Sequence, residues 1–163
     1  MNTSGSALPA TLLIAMLTAT VAGLGAVVSG GSEDVWYAAL TKPPLNPPDI
    51  AFAIVWPVLY VLMALGAVIV RISAGSIAAA SGALGLFFTQ LAVNLSWSWL
   101  FFGFHQVALA LVALVGLWVL IAAMIARFAR HSLAAAILQA PYLLWVTFAG
   151  YLNGSILILN QSA

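Results

Sequence analysis

The sequence predicts an all-α integral membrane protein, one domain over residues 1–163 folded as a bundle of five transmembrane helices. Three observations carry this. Hydrophobic residues make up 65% of the chain and charged residues 4%, whereas soluble domains are roughly a quarter charged. Apolar runs recur at the length of about 20 residues that a spanning helix needs. None of them shows the polar and apolar alternation of a barrel strand.

The first span covers residues 7–28. No basic segment precedes it, and residues 22–29 offer only a loose small-residue pattern, so it reads as a permanent helix rather than a removed signal. Ala15, Ala19 and Gly23 recur at i, i+4, i+8. Such a face lets backbones approach closely, either inside the bundle or against a second copy.

Residues 29–48 form the one long connection. It holds Glu33, Asp34 and Lys42 and four of the seven prolines, Pro43, Pro44, Pro47 and Pro48. Proline fixes φ and biases the residue before it toward extended structure, so the segment is expected to be stiff. Stiffness suits a lid over a cavity and equally a rigid connector.

The second span, residues 49–70, carries Phe52, Trp56 and Tyr60 at i, i+4, i+8, with Pro57 removing one helical hydrogen bond. The third, residues 79–103, lies within a stretch from Arg71 to Arg127 that has no intervening Asp, Glu, Lys or Arg, yet it places Gln90, Asn94, Trp97 and Phe101 on one face. Ala78, Gly82 and Leu86 begin another small-residue stripe at its start. The fourth span is residues 107–128. The fifth, residues 133–159, repeats the polar and aromatic register with Pro141, Trp145, Ala149 and Asn153, and Pro141 is expected to bend it. The breaks at 71–76, 104–106 and 129–132 are short, which makes sequential helices antiparallel neighbours. Arg71, Arg127 and Arg130 share one side and Lys42 lies on the other, so positive-inside reasoning places the N-terminus in the cytoplasm.

A side-chain amide in hydrocarbon costs several kcal/mol, about 4–8 on transfer to an alkane, unless it is hydrogen-bonded. Gln90 and Asn94 therefore need internal partners, and the mid-span indole of Trp145, which also needs one, offers a chemical match. Three aromatic and polar stripes at one pitch describe a site for a large, flat, mostly apolar ligand. Conventional catalytic chemistry is absent from the pattern. The chain has no cysteine, His105 and His131 lack a carboxylate or second histidine at ligand spacing, and Ser96 and Ser98 have no nearby base. No metal, no tightly bound cofactor and no nucleic-acid partner is expected.

The residues resemble the TspO/MBR family of translocator proteins, tryptophan-rich sensory proteins and peripheral-type benzodiazepine receptors. The likeness runs through Trp36-Tyr37, Leu40, Lys42-Pro43, Asn46-Pro47-Pro48, Phe52, Trp56 and Leu59-Tyr60. It continues in Gln90 to Asn94, Trp97, Phe101-Phe102-Gly103, Pro141-Tyr142, Trp145, Ala149 and Leu152-Asn153. All but the first span is covered.

The resemblance implies a five-helix receptor or sensor, homodimeric, in a bacterial cell membrane, with an outer membrane as the other location. It implies a pocket closed by the first loop that takes porphyrin, haem or related tetrapyrroles, or benzodiazepine-site compounds. Carried over position by position, the pocket includes Tyr37, Pro47, Trp56, Tyr60, Gln90, Asn94, Trp97, Trp145, Ala149 and Asn153. Two other functions stand beside sensing. Transport of a porphyrin or other small molecule is disfavoured by the lack of intramembrane charges and of an internal repeat. Light-dependent porphyrin degradation would use Trp56 and Trp145 and needs no acid and base pair. Sterol binding through the C-terminal pattern of animal members is not expected, because no basic residue follows Arg130 to complete it at Tyr151.

Overall fold

The computed structural model describes residues 7–30 and 35–160; Glu33 and Asp34, with the part of the predicted lid around them, lie outside the described residues. The first five helices are α1 (Ala7–Val28), α2 (Val35–Ala39), α3 (Asp49–Ser73), α4 (Ile77–Ser98), which runs on into a π-helical turn at Trp99–Gly103, and α5 (Val107–Ala129). They are followed by α6 (Leu133–Ile137) and α7 (Ala140–Leu159). Five stretches are long and apolar enough to cross a membrane, with α6 and α7 together making the fifth.

Local chemistry sets the ends of these helices. Asp49 stands in the first turn of α3, behind Pro48 in an extended conformation, where a negative charge complements the helix dipole. Ser76 caps α4 by accepting a hydrogen bond from the Ala79 amide at 3.1 Å, and Ser132 caps α6 through the Ala135 amide at 3.3 Å. Gly75, at φ +72°, makes the reversal between α3 and α4 that a residue with a Cβ resists.

Two expectations need correction. The fifth span is interrupted at a turn ahead of its proline. Residues 138 and 139 keep right-handed helical dihedrals but tighten into a turn, with the Gln139 amide on the Ala136 carbonyl at 3.0 Å, and Pro141 sits in the first turn of α7, where its missing N–H costs nothing. The long connection also contains helix α2 ahead of its prolines. Beyond it, the Asn46 amide bonds the Pro43 carbonyl at 3.0 Å to close a turn.

The helices close a ring in which α1 packs on α3 and α4, α4 on α5, and α5 on α7, while α6 wedges between α3 and α5. Helix α7 meets α3 only along a short stretch, so the ring is loosest there. Met63, Ala67, Phe87, Leu117, Ile121 and Met124 fill the interior with no exposed surface. Leu13, Ile54, Val112, Val119, Leu144 and Ile158 face outward, at an apolar density that a bilayer accommodates and water does not. The Ala15, Ala19 and Gly23 stripe faces outward too; α1 instead turns Ile14 and Thr18 inward.

Candidate functional site

Between α3, α4 and α7 the buried polar groups satisfy one another in a chain. Tyr60 donates its hydroxyl proton to Asn94 Oδ1 at 2.6 Å, and Asn94 Nδ2 donates to the Tyr142 oxygen at 3.1 Å. Tyr142 donates to Gln90 Oε1 at 2.8 Å, and Gln90 Nε2 lies 3.7 Å from Met63 Sδ. Nearer the lid, Trp97 Nε1 donates to Asn153 Oδ1 at 3.2 Å, and Asn153 Nδ2 donates to the Val107 carbonyl at 2.9 Å. The amides thus tie α3, α4, α5 and α7 together in a medium that offers them no water.

Tyr142, at 0% exposure, is the hub of this chain. Reading the fifth span as an i, i+4 stripe from Pro141 passes it by. Residues along a helix turn about 100° each, so four steps overshoot a full turn by roughly 40° and the stripe drifts around the helix. In consequence Pro141 is exposed, Trp145 half-buried, and Ala149 and Asn153 buried. Trp145 does not pair with Gln90 or Asn94, its chemical matches in the sequence, since Tyr60, Tyr142 and Met63 occupy both amides.

Aromatic rings continue the site toward the lid. Trp56 lies 5.8 Å from Tyr60, 6.0 Å from Trp97 and 6.4 Å from Tyr142, centroid to centroid. The π turn closes with the Phe104 amide on the Trp99 carbonyl at 2.8 Å and brings Phe101 and Phe102 together under the lid. Trp36 stands edge-on to Phe101 and stacks on His105 at 4.0 Å, while Tyr37 packs on Phe101 and Phe102. The Tyr37 hydroxyl donates to Asn46 Oδ1 at 3.1 Å, and Asn46 in turn donates to the Pro47 carbonyl at 3.1 Å. Burial, and secondarily the charge of Asp49, push the Tyr37 phenol above its usual value, with the Asn46 bond acting the other way. Lys42 Nζ sits 4.5 Å above the Tyr37 ring. Asn160, at the end of α7, clasps the lid with two 3.0 Å bonds, from the Thr41 amide to Oδ1 and from Nδ2 to the Thr41 carbonyl.

Where α3 and α7 diverge, an open apolar groove of about 560 Å³ runs along the outside of the ring, lined by Ile54, Val58, Leu62, Leu144, Trp145 and Phe148 among others. Trp145 is held between Phe52 and Phe148, each 5.7 Å away, and its buried indole N–H has no hydrogen-bond partner among the described residues. Ten residues were expected to form one pocket; the structure distributes them. Tyr60, Gln90, Asn94, Trp97 and Asn153 interlock, Trp56 covers them, Tyr37 and Pro47 belong to the lid, and Trp145 lines the groove, with Ala149 one turn beyond.

Known proteins are similar to this chain over most of its length. The TspO/MBR family profile matches residues 11–159. The chain is 41% identical over 125 residues to the tryptophan-rich protein TspO of Chlorobaculum tepidum, covering 77% of this chain and 79% of the relative. It is 36% identical over 149 residues to the tryptophan-rich sensory protein of Cereibacter sphaeroides, covering 90% and 92%. With the translocator protein of Bos taurus the identity is 40% over 131 residues, covering 80% and 78%.

Proposed function

The chain belongs to the TspO/MBR family, and from that premise we propose that this multi-pass membrane protein is a receptor or sensor for tetrapyrroles in a bacterial cell membrane. The apolar groove between α3 and α7 carries the proposal, with the half-buried Trp145 ring in its wall and a buried indole N–H that has no partner among the described residues. A donor left unmade in an apolar site costs about 1–3 kcal/mol, so a flat ligand with an acceptor on its edge gains when the Trp145 ring turns to present that donor. A groove of about 560 Å³ is in the size range of small-molecule sites, and its walls are almost wholly apolar. Phe52, Trp56 and Trp145 are half-buried, which leaves ring faces for stacking, whereas the amides of α4 are already committed within the bundle. On this reading the polar chain fixes the shape of the site, and the groove lets an apolar ligand arrive from the bilayer.

Protoporphyrin titrated into purified protein is expected to quench tryptophan fluorescence saturably, with affinity about tenfold weaker in Trp145→Phe. Linear quenching that is identical in both proteins would sink the proposal. Running the same titration under illumination tests for chemistry. New bilin-like absorbance, lost when Trp56 and Trp145 are both replaced by Phe, would add turnover to binding.

Exposed small residues support a homodimer as the working assembly. Gly82 and Gly85 on α4 have nothing within 4 Å of where a Cβ would stand, and Ala78 lies on the same outer surface. Disulfide cross-linking of Gly82→Cys in native membranes should trap dimers; monomer alone would count against this face.

A further inference from the structure

One cation in the bundle is nearly enclosed and has no partner among the described residues. Arg71, in the last turn of α3, is 4% exposed, and its Nε is buried without an acceptor. Among the described residues nothing hydrogen-bonds or ion-pairs with it. The carboxylates of the chain are elsewhere. Asp49 opens the same helix 22 residues earlier, about 33 Å away along the axis, and Glu33 and Asp34 belong to the connection that precedes it. The α5–α6 connection, at the same end of the bundle as Arg71, contributes Arg127, Arg130 and His131 and no anion. Arg127 and Arg130 are exposed, as cationic side chains at helix ends usually are when they reach for water. Arg71 instead keeps all but 4% of its surface covered.

A buried charge with no partner costs several kcal/mol, so an arrangement that retains one calls for an anion from outside the chain. Guanidinium presents a planar fork of N–H donors that matches two oxygens of a phosphate. The last turn of a spanning helix lies near the level of the lipid headgroups, where phosphate is the abundant anion. The groove residues of α3 end at Leu62, about 13 Å short of Arg71, so a ligand seated against Trp145 does not account for the charge. We propose that Arg71 is an anion site that takes a phosphate group at the headgroup level, a phospholipid phosphodiester or free phosphate. This does not depend on the tetrapyrrole reading.

The test uses delipidated full-length protein in detergent. Thermal unfolding is followed during titration with dioleoylphosphatidylglycerol, with dioleoylphosphatidylcholine, with phosphate-free monoolein, and with inorganic phosphate against chloride at equal ionic strength. Both phospholipids should raise the midpoint saturably and monoolein should not. Apparent affinity should fall about tenfold or more in Arg71→Met, fall less in Arg71→Lys, and hold in Arg127→Met. An equal saturable effect of inorganic phosphate would identify free phosphate as the source. Identical lipid responses in wild type, Arg71→Met and Arg71→Lys would overturn the site, as would equal stabilisation by monoolein. Should Arg71→Met fail to fold, native mass spectrometry of the Lys variant decides: phospholipid adducts as abundant and as resistant to activation as those of wild type contradict the proposal, and weaker ones support it.

Discussion

Tyr142 holds two amides on a neighbouring helix with a single hydroxyl, receiving from Asn94 and donating to Gln90. Tyr142→Phe removes the oxygen and leaves Gln90 Oε1 and one Asn94 proton without partners at a depth where no water replaces them. A hydrogen bond between membrane helices is worth only about 0.6 kcal/mol on average, because the dissociated helices also find partners. Here two groups are orphaned at once, so the loss should be larger, about 1–3 kcal/mol, read as reduced stability in denaturing-detergent titration. Gln90, Asn94 and Trp97 were legible in the sequence because polar groups within an uncharged apolar run require an explanation wherever they point. Tyr142 belongs to the family pattern, but counting by fours from Pro141 leads around the helix and away from it. The free indole of Trp145 could not be read at all. Sequence shows that a donor exists and leaves open which donor goes unmatched.

At the scale of elements, the join between α3 and the α6–α7 break depends on a glycine. A Cβ at Gly66 would collide with Gln139 Nε2 and stand 3.2 Å from the Ala135 carbonyl. Gln139, wholly buried, donates to the Leu62 carbonyl at 3.2 Å and the Ala135 carbonyl at 3.4 Å, so its amide bridges the helices across the interruption. Gly66→Ala should cost about 1–3 kcal/mol through overpacking, and Gln139→Ala in the same chain should recover much of it. Equal loss in the single and double variants would refute the contact. Four helix positions followed closely from apolar run length. The fifth did not, because Pro141 marks a place where a helix either bends or restarts, and the choice belongs to the packing of α6 against α3. Gln139 was missed, although the reasoning that singled out Gln90 applies to it equally. The outward turn of Ala15, Ala19 and Gly23 was also beyond reach: small residues permit close approach without saying to what.

For the whole molecule, the central claim is that the bundle commits the amides of α4 to holding itself together and leaves one buried indole donor, that of Trp145 in the wall of the seam between α3 and α7, for a ligand. The five-helix bundle followed from five apolar runs with short connections, while its ring order and the seam arise from how the closing helix meets the second span. Indole N–H resonances distinguish the tryptophans directly. Trp97 and Trp118 donate to Asn153 and Thr147 at 3.2 and 2.9 Å and serve as internal references. In ¹H–¹⁵N spectra of protein labelled at tryptophan, protoporphyrin should shift the Trp145 indole signal saturably and much further than those of Trp97 and Trp118, as expected for a donor that gains an acceptor. A Trp145 signal that stays in place while the others move, or equal small shifts in all of them, would contradict the account.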